Sequence, residues 1–248
     1  MNSTNPFFKN KTFTNTSAAS EVHEAKIIDR DETMTVSGTI NKSFLMLILL
    51  IASAAVTWSM ANPIVFAIGG AIVGFILVLI AVFKPQYSGF LAPGYAIFEG
   101  LFIGGISSIF EVMYPGIVIQ AVSCTFVTFM VCFGLYKYEI VKVTEKFKSV
   151  VVAATLAIAT YYLFSWLLSM FTSFQPVHYG NSMMSIGISA FVIVIAALNL
   201  FLDFDQIEKG VQQKMPKYME WYGAMGLMIT LVWLYIEFLR LLSKLNRK

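Results

Sequence analysis

Two long stretches of this chain carry no charged side chain. Neither Asp, Glu, Lys nor Arg occurs in residues 43–83 or in residues 149–202. One membrane-spanning helix needs about 20 consecutive apolar residues, so each stretch is long enough for two spans. Charged residues make up 12% of the whole chain, against about a quarter in a typical soluble domain. The sequence therefore predicts an integral membrane protein.

Turn residues divide the apolar sequence into seven segments. Six of the seven prolines fall at the junctions, where a fixed φ and a missing N–H disturb a helix least. The segments are about twice as long as barrel strands and lack their alternation, which favours helices. The predicted fold class is an all-α membrane protein, a seven-transmembrane-helix bundle, with spans at 43–60, 64–83, 91–110, 116–136, 149–171, 183–208 and 222–242.

Residues 1–42 differ from the rest of the chain. They contain five basic and five acidic residues among Asn, Ser and Thr, with few apolar side chains to bury. Such a composition cannot form a core, so we expect a polar, disordered tail. The predicted organisation is therefore this tail, on the cytoplasmic side, followed by a transmembrane domain at 43–248.

The placement of Lys and Arg predicts the orientation, because cytoplasmic connections are enriched in these residues. The tail carries five, the second connection one, the fourth four and the sixth three, whereas the first, third and fifth connections carry none. This alternation predicts a cytoplasmic N-terminus. The basic residues from position 240 onward would then lie outside if the seventh segment crosses fully, so the side of the C-terminus stays open.

Residues typical of enzymes and metal centres are sparse. Cys124 and Cys132 lie eight residues apart on one predicted helix, about 12 Å along its axis, which is too far for a disulfide. His23 and His178 do not form a cluster with metal-ligand spacing, and no His-Glu-x-x-His motif occurs. We therefore expect no enzymatic activity, no cofactor, no resident metal and no nucleic-acid partner.

Small residues recur at a spacing that lets helices approach closely. Gly69, Gly70 and Gly74 lie in the second span, and Gly100 and Gly104 lie in the third. The Gly-x-x-x-Gly spacing places two glycines on one helix face, which is typical of tight helix packing in membranes. We interpret these glycines as packing positions.

Several acids lie at membrane depth, where an ionisable group is costly and points to function. Glu99 lies in span three and Glu111 next to the far end of that span. Asp203 and Asp205 lie near the end of span six, and Glu237 lies in span seven. Glu111 and Asp205 are close to span ends, which favours solvated, interfacial positions. The other three are stronger candidates for a functional role.

Asp203 and Glu237 lie on consecutive, antiparallel spans. Asp203 is about 15 Å and Glu237 about 23 Å from the connection between them, so tilt or a folded connection would have to bring them level. Two facing carboxylates in a low dielectric cannot both ionise cheaply and titrate as a unit. Such a pair suits proton sensing or binding of Ca²⁺ through oxygen ligands. The alternative for Glu237 is local pairing with Arg240 at i,i+3.

Four segments resemble the bacterial branch of the Bax inhibitor family, also called the transmembrane Bax inhibitor motif family. They are FEGLFIGGIS at 98–107, LNLFLDFDQIEKG at 198–210, PKYMEWY at 216–222 and LVWLYIEFLRLL at 231–242. The resemblance implies a seven-helix bundle with a central, buried seventh helix and the function of a pH-sensitive calcium leak. It also implies that Asp203 and Glu237 form the pH sensor. The seventh-helix acid is Glu where Asp is typical of the family, and the stretch between the acids is longer.

The predicted function is a pH-sensitive leak for calcium ions, or another cation, in the bacterial cytoplasmic membrane. Two alternatives stay open: a non-conducting regulator that binds other membrane proteins, such as a membrane protease, and a proton-coupled transporter. In either case the lipid bilayer is the surrounding partner. The residues assigned to the leak are Asp203 and Glu237 as the gate, Glu99, Asp205 and Asn199 as ion contacts, and Arg240 as a pairing partner.

Overall fold

The computed structural model describes residues 33–172, 176–180 and 182–246. The chain divides into two units, residues 1–33 and residues 34–248, and the fold below is that of the second unit. The predicted tail lies outside the described residues up to position 32.

Seven helices in the described residues are long and apolar enough to cross a membrane, and this part of the chain contains no β-strand. The predicted fold class is therefore confirmed. Short 3₁₀ helices at Pro85–Tyr87 and Val177–Tyr179 lie in two of the connections. The spanning helices are α1 (Val36–Trp58), α2 (Pro63–Phe83), α3 (Ser88–Met113), α4 (Ile117–Lys137), α5 (Glu145–Phe171), α6 (Met183–Gln212) and α7 (Met219–Asn246).

The first helix begins seven residues before the predicted span. The Thr35 hydroxyl accepts a hydrogen bond of 3.0 Å from the Gly38 N–H, which satisfies one of the free donors at the helix start. Lys42, predicted to end the tail, therefore lies in α1. A polar first turn is compatible with a spanning helix because the helix continues beyond the hydrocarbon into the hydrated headgroup layer.

One proline is also placed differently from the prediction. Pro93 is one of the six prolines predicted to fall at junctions, but α3 begins at Ser88 and contains Pro93 as its sixth residue. Proline at this position removes one i→i−4 hydrogen bond, the bond to the Gly89 carbonyl, and the helix continues past it.

The seventh helix is the centre of the bundle. It packs against α1, α3, α4 and α6, and 50% of its most apolar stretch is buried, a larger share than in any other spanning helix. Its fully buried side chains include Leu234 and Leu239. The predicted central, buried seventh helix is therefore confirmed. By contrast, α5 is only 11% buried over the same length and packs mainly on α6.

Close contact between α1 and α3 depends on glycine. A Cβ on Gly104 would overlap the carbonyl oxygen of Ala54, and one on Gly100 would overlap Ser53 and the Leu50 carbonyl. These positions pack as the spacing predicted. Gly69 differs, because nothing lies within 4 Å of a Cβ built there.

We call the face of the bundle where α1 begins the tail face, and the face where α7 ends the C-terminal face. The α6–α7 connection lies at the tail face, since both helices have their connected ends there. The α5–α6 connection, which contains Val177–Tyr179, lies at the C-terminal face.

Candidate functional site

Asp203 lines a cavity of about 140 Å³ between α2, α6 and α7. Its carboxyl faces α7, where a Cβ on Gly226 would lie 3.9 Å from Asp203 Oδ1. That distance is an ordinary van der Waals contact, so it places the Asp203 carboxyl beside α7 at the level of Gly226. Val82 of α2 and Tyr222 of α7 also line the cavity.

Glu237 has a different environment, nearer the C-terminal face. Its side chain is 1% exposed. Oε1 accepts hydrogen bonds from the Tyr162 hydroxyl at 3.3 Å and from Arg240 Nη1 at 3.0 Å. Glu237 thus connects α7 to α5 and forms the i,i+3 ion pair with Arg240.

These two acids share one unusual property. Among the described residues, the buried side-chain N and O atoms without a hydrogen-bond partner are Asp203 Oδ2 and Glu237 Oε2 alone. Buried polar atoms are normally paired, and an exception needs an explanation. Both exceptions are oxygens of carboxylates at membrane depth, where an ionisable group is a candidate for function.

The structure does not bring the two carboxylates together. Asp203 is level with Gly226, and Glu237 lies eleven residues further along α7, about 16 Å along the helix axis. At the other end of the hairpin, Lys244 bonds to Ser185 and Ser189, which fixes the same register. The expectation of a facing pair is thus corrected.

The connection between α6 and α7 explains this correction. It spans only residues 213–218, and Lys214 adopts a left-handed φ of 51°. The Met215 N–H then bonds to the Gly210 carbonyl at 3.0 Å, which closes a tight turn. Because the turn is tight, residues about equally far from it are nearly level, and Glu237 is nine residues further from it than Asp203 is.

Asp205 lies at the tail face and is paired with two lysines. Its Oδ2 atom is 3.0 Å from Lys148 Nζ and 2.9 Å from Lys209 Nζ. Lys148 is at the start of α5, so the cluster ties α5 to α6. The negative charge of Asp205 is therefore neutralised by these lysines.

The remaining predicted contacts lie in separate places. Glu99 packs against α2, where its Oε2 atom would be 3.1 Å from a Cβ on Gly74. The Asn199 amide donates to the Thr155 hydroxyl and to the Ile195 carbonyl, both at 2.8 Å. Asn199 therefore links α6 to α5 through its bond to Thr155, while its bond to Ile195 lies within α6.

Glu111 is an interfacial group in the structure. It accepts hydrogen bonds from the Gly116 and Val118 N–H groups at 2.6 and 3.1 Å, where α4 begins. An acid at a helix start satisfies the free N–H groups there.

Sequence reasoning missed a buried acid at the tail face. The Glu220 side chain is 0% exposed and accepts hydrogen bonds from the Thr35 N–H at 2.9 Å and its hydroxyl at 2.8 Å. It also pairs with Lys42, and with Lys217 at 3.1 Å. Lys42 lies in turn over the Trp221 ring, 5.4 Å from its centroid. The sequence did contain one indication of this site: Lys42 directly precedes an apolar stretch, so its charge needs a partner near the membrane surface.

The fold and these acids define a class of protein. It is a multi-pass helical membrane protein in which, among the described residues, the buried side-chain atoms without a partner are carboxylate oxygens around a central helix. The family model described as Bax inhibitor 1 like matches residues 5–247, nearly the whole chain. The chain belongs to this family, as the resemblance of the four segments indicated. A comparison with curated proteins found no match.

Proposed function

We propose that this protein is a pH-sensitive leak for a cation such as Ca²⁺. In this proposal Asp203, which faces α7, and Glu237, which lies on α7, are two successive cation-binding carboxylates, here called stations. The observation that carries the proposal is the pair of unpartnered, buried oxygens on these two acids. A carboxylate with a free lone pair at membrane depth is suited to hold a passing cation or a proton.

The arrangement favours passage over storage. Ca²⁺ prefers six to eight oxygen ligands, and no group of three or more His, Cys, Asp or Glu side chains that would hold a metal occurs among the described residues. Each station offers one carboxylate, so a cation would keep part of its hydration shell and bind weakly. Weak, multi-site binding lets an ion leave as readily as it enters.

Protons and cations compete for the same oxygens in this mechanism. A cation binds the ionised carboxylate, and protonation removes both the charge and the free lone pair. Flux should therefore rise with pH across the range in which Asp203 and Glu237 lose their protons. Because the carboxylates are separated, they act as two stations in series, and loss of either one should reduce the flux.

We further propose that the tail face is cytoplasmic and that the membrane is the bacterial cytoplasmic membrane. The basic residues of the connections support this orientation, because Lys84, Lys148 and Lys209 all lie at the tail face and such residues concentrate on the cytoplasmic side.

The test is calcium uptake into dye-loaded proteoliposomes containing the purified full chain, from about pH 6 to about pH 8. Asp203→Asn and Glu237→Gln keep the side-chain size but remove the charge. Glu145→Gln is the matched control, because Glu145 is 86% exposed. We expect native protein and control to share one rising pH profile, and both station variants to show lower flux and a flatter profile.

Other results would separate the alternatives. Flux that saturates and depends on an imposed proton gradient would indicate a proton-coupled transporter. No flux above that of empty liposomes would reject the leak and favour a regulator that binds other membrane proteins. Unchanged flux in both station variants would reject the assignment of these two acids.

A further inference from the structure

A second cavity, of about 180 Å³, lies at the C-terminal face. We call it the C-terminal cavity. It lies between α3, α5, α6, α7 and the 3₁₀ turn, and the residues that matter here are Tyr162, His178, Ser189, Arg240 and Lys244. An engineered cavity of about 150 Å³ holds a benzene molecule, so this one is large enough for a phosphate group.

Lys244 is a buried cation with neutral partners. It is 9% exposed, and Nζ donates to Ser189 Oγ at 2.6 Å and to the Ser185 carbonyl at 3.2 Å. None of the ion pairs among the described residues includes Lys244. Lysines that are buried this deeply are normally paired with an anion. The Glu237 carboxylate attracts Lys244 from beyond ion-pair distance and is itself paired with Arg240.

Arg240 adds a second positive charge to the same cavity. Its Nη1 pairs with Glu237, and the guanidinium lies over the Tyr162 ring, 5.5 Å from the centroid. The arginine side chain is 44% exposed and carries five N–H donors, so it can reach a ligand from outside while it holds Glu237. Two cations and one carboxylate leave the cavity with an excess of about one positive charge.

His178 lines the same cavity as these two cations. Burial lowers the pKa of His178, and the nearby Arg240 and Lys244 lower it further. Because His178, Arg240 and Lys244 line the same cavity, the two cations act on the ring from across it. The charge excess is therefore felt inside the cavity, where a ligand would bind.

We propose that the C-terminal cavity binds a phosphate group, with Lys244 and Arg240 as its charge partners. A phosphate fits better than a single-atom anion because Lys244 and Arg240 together offer several donors. The third Lys244 proton and the remaining Arg240 donors can meet separate oxygens. The planar arginine fork matches phosphate geometry. The group can belong to a phospholipid headgroup, since basic pockets between spans bind headgroups, or to free phosphate.

The first experiment reads His178 in native protein. The sequence contains two histidines, so a His23→Gln background leaves His178 as the single ring signal in an NMR titration. The purified full chain in neutral detergent micelles is titrated with inorganic phosphate, with chloride of equal ionic strength as the control. A second arm adds phosphatidylglycerol to the micelles, with phosphate-free diacylglycerol as the control.

A bound phosphate offsets the charge of Lys244 and Arg240, so the pKa of His178 should rise beyond the rise that chloride causes by screening. A rise with inorganic phosphate identifies a free anion as ligand, and a rise with phosphatidylglycerol alone identifies a headgroup. If neither exceeds its control, the proposal is overturned. This measurement needs no substitution in the cavity.

The second experiment compares variants. Lys244→Met and Arg240→Gln should each raise the half-saturating concentration of the active ligand by about tenfold or more. Loss of one hydrogen bond to a charged group weakens binding by this factor. Lys84→Met removes one lysine at the opposite face and should leave binding unchanged. Equal binding by all three variants would overturn the assignment, and a cavity variant that does not fold leaves the decision to the native titration.

Discussion

Replacing Lys42 by Met removes the main counter-charge of a buried carboxylate. Glu220 is 0% exposed and Lys42 is 17% exposed. The carboxylate reaches this position because α1 has no side chain there: a Cβ on Gly38 would overlap the Glu220 carboxyl. In the Lys42→Met variant the carboxylate stays buried and keeps its two hydrogen bonds from Thr35.

The loss in free energy of unfolding depends on the partners that Glu220 keeps in this variant. Removing one partner of a buried ion pair typically destabilises a protein by about 3–5 kcal/mol, because a buried charge is left uncompensated. Lys217 still lies 3.1 Å from Glu220, so we expect the lower end, about 3 kcal/mol. That is roughly a hundredfold change in the unfolding equilibrium.

Lys217→Met provides a matched control, because it removes a lysine from the same carboxylate. The Lys217 side chain is 46% exposed, and an exposed ion pair contributes about 0–1 kcal/mol. The free energy of unfolding is measured in mixed micelles of increasing SDS content, followed by tryptophan fluorescence. Trp221 lies under the Lys42 ammonium, so it also reports loss of the contact.

Glu220→Gln completes a double-mutant cycle. Without the negative charge, Lys42→Met no longer strands a buried ion, so its cost should fall well below the value in the native background. The reasoning is refuted if Lys42→Met and Lys217→Met cost the same within about 0.5 kcal/mol, the usual error of additivity. It is also refuted if Glu220→Gln does not reduce the cost of Lys42→Met.

Two further predictions concern stability. Gly104→Ala should cost about 1–3 kcal/mol, because the new Cβ overlaps the Ala54 carbonyl and forces α1 and α3 apart. Gly69→Ala meets no atom within 4 Å and should not reduce the free energy of unfolding. The pKa of His178 is lower in the folded chain than in the unfolded chain, so stability is lost as pH falls from about 6.5 through the folded pKa. His178→Gln should flatten this dependence in thermal unfolding measured against pH, and an unchanged slope would contradict the argument.

The seven spans could be predicted because the bilayer leaves few options. Backbone N–H and C=O groups cannot bond to water inside hydrocarbon, so a long apolar run without charges must be a helix. The ends of the helices were less certain. The Thr35 cap extends α1 by seven residues, because capping depends on one local hydrogen bond, whereas hydropathy averages over many residues.

The register of α6 against α7 could not be predicted from the sequence. Separation along the chain predicted that Asp203 and Glu237 lie on neighbouring helices, but not which residues are level. The turn at residues 213–218 sets this register through the left-handed φ of Lys214. Non-glycine residues seldom adopt such a conformation. The burial of Glu220 was missed for a similar reason, because it depends on Gly38 and Lys42 from a segment interpreted as tail.

Arg240 links the two proposed sites. It pairs with Glu237, one carboxylate station, and it also lines the C-terminal cavity. A phosphate bound in that cavity would share the guanidinium charge with Glu237, which keeps its hydrogen bond from Nη1. Weaker pairing leaves more of the Glu237 charge available to a cation, so an anion at the C-terminal face should favour cation binding at the second station. By linkage, a cation at Glu237 should favour phosphate binding to the same extent. The separation of Asp203 from Glu237 therefore lets one station respond to a ligand at the membrane surface while the other does not.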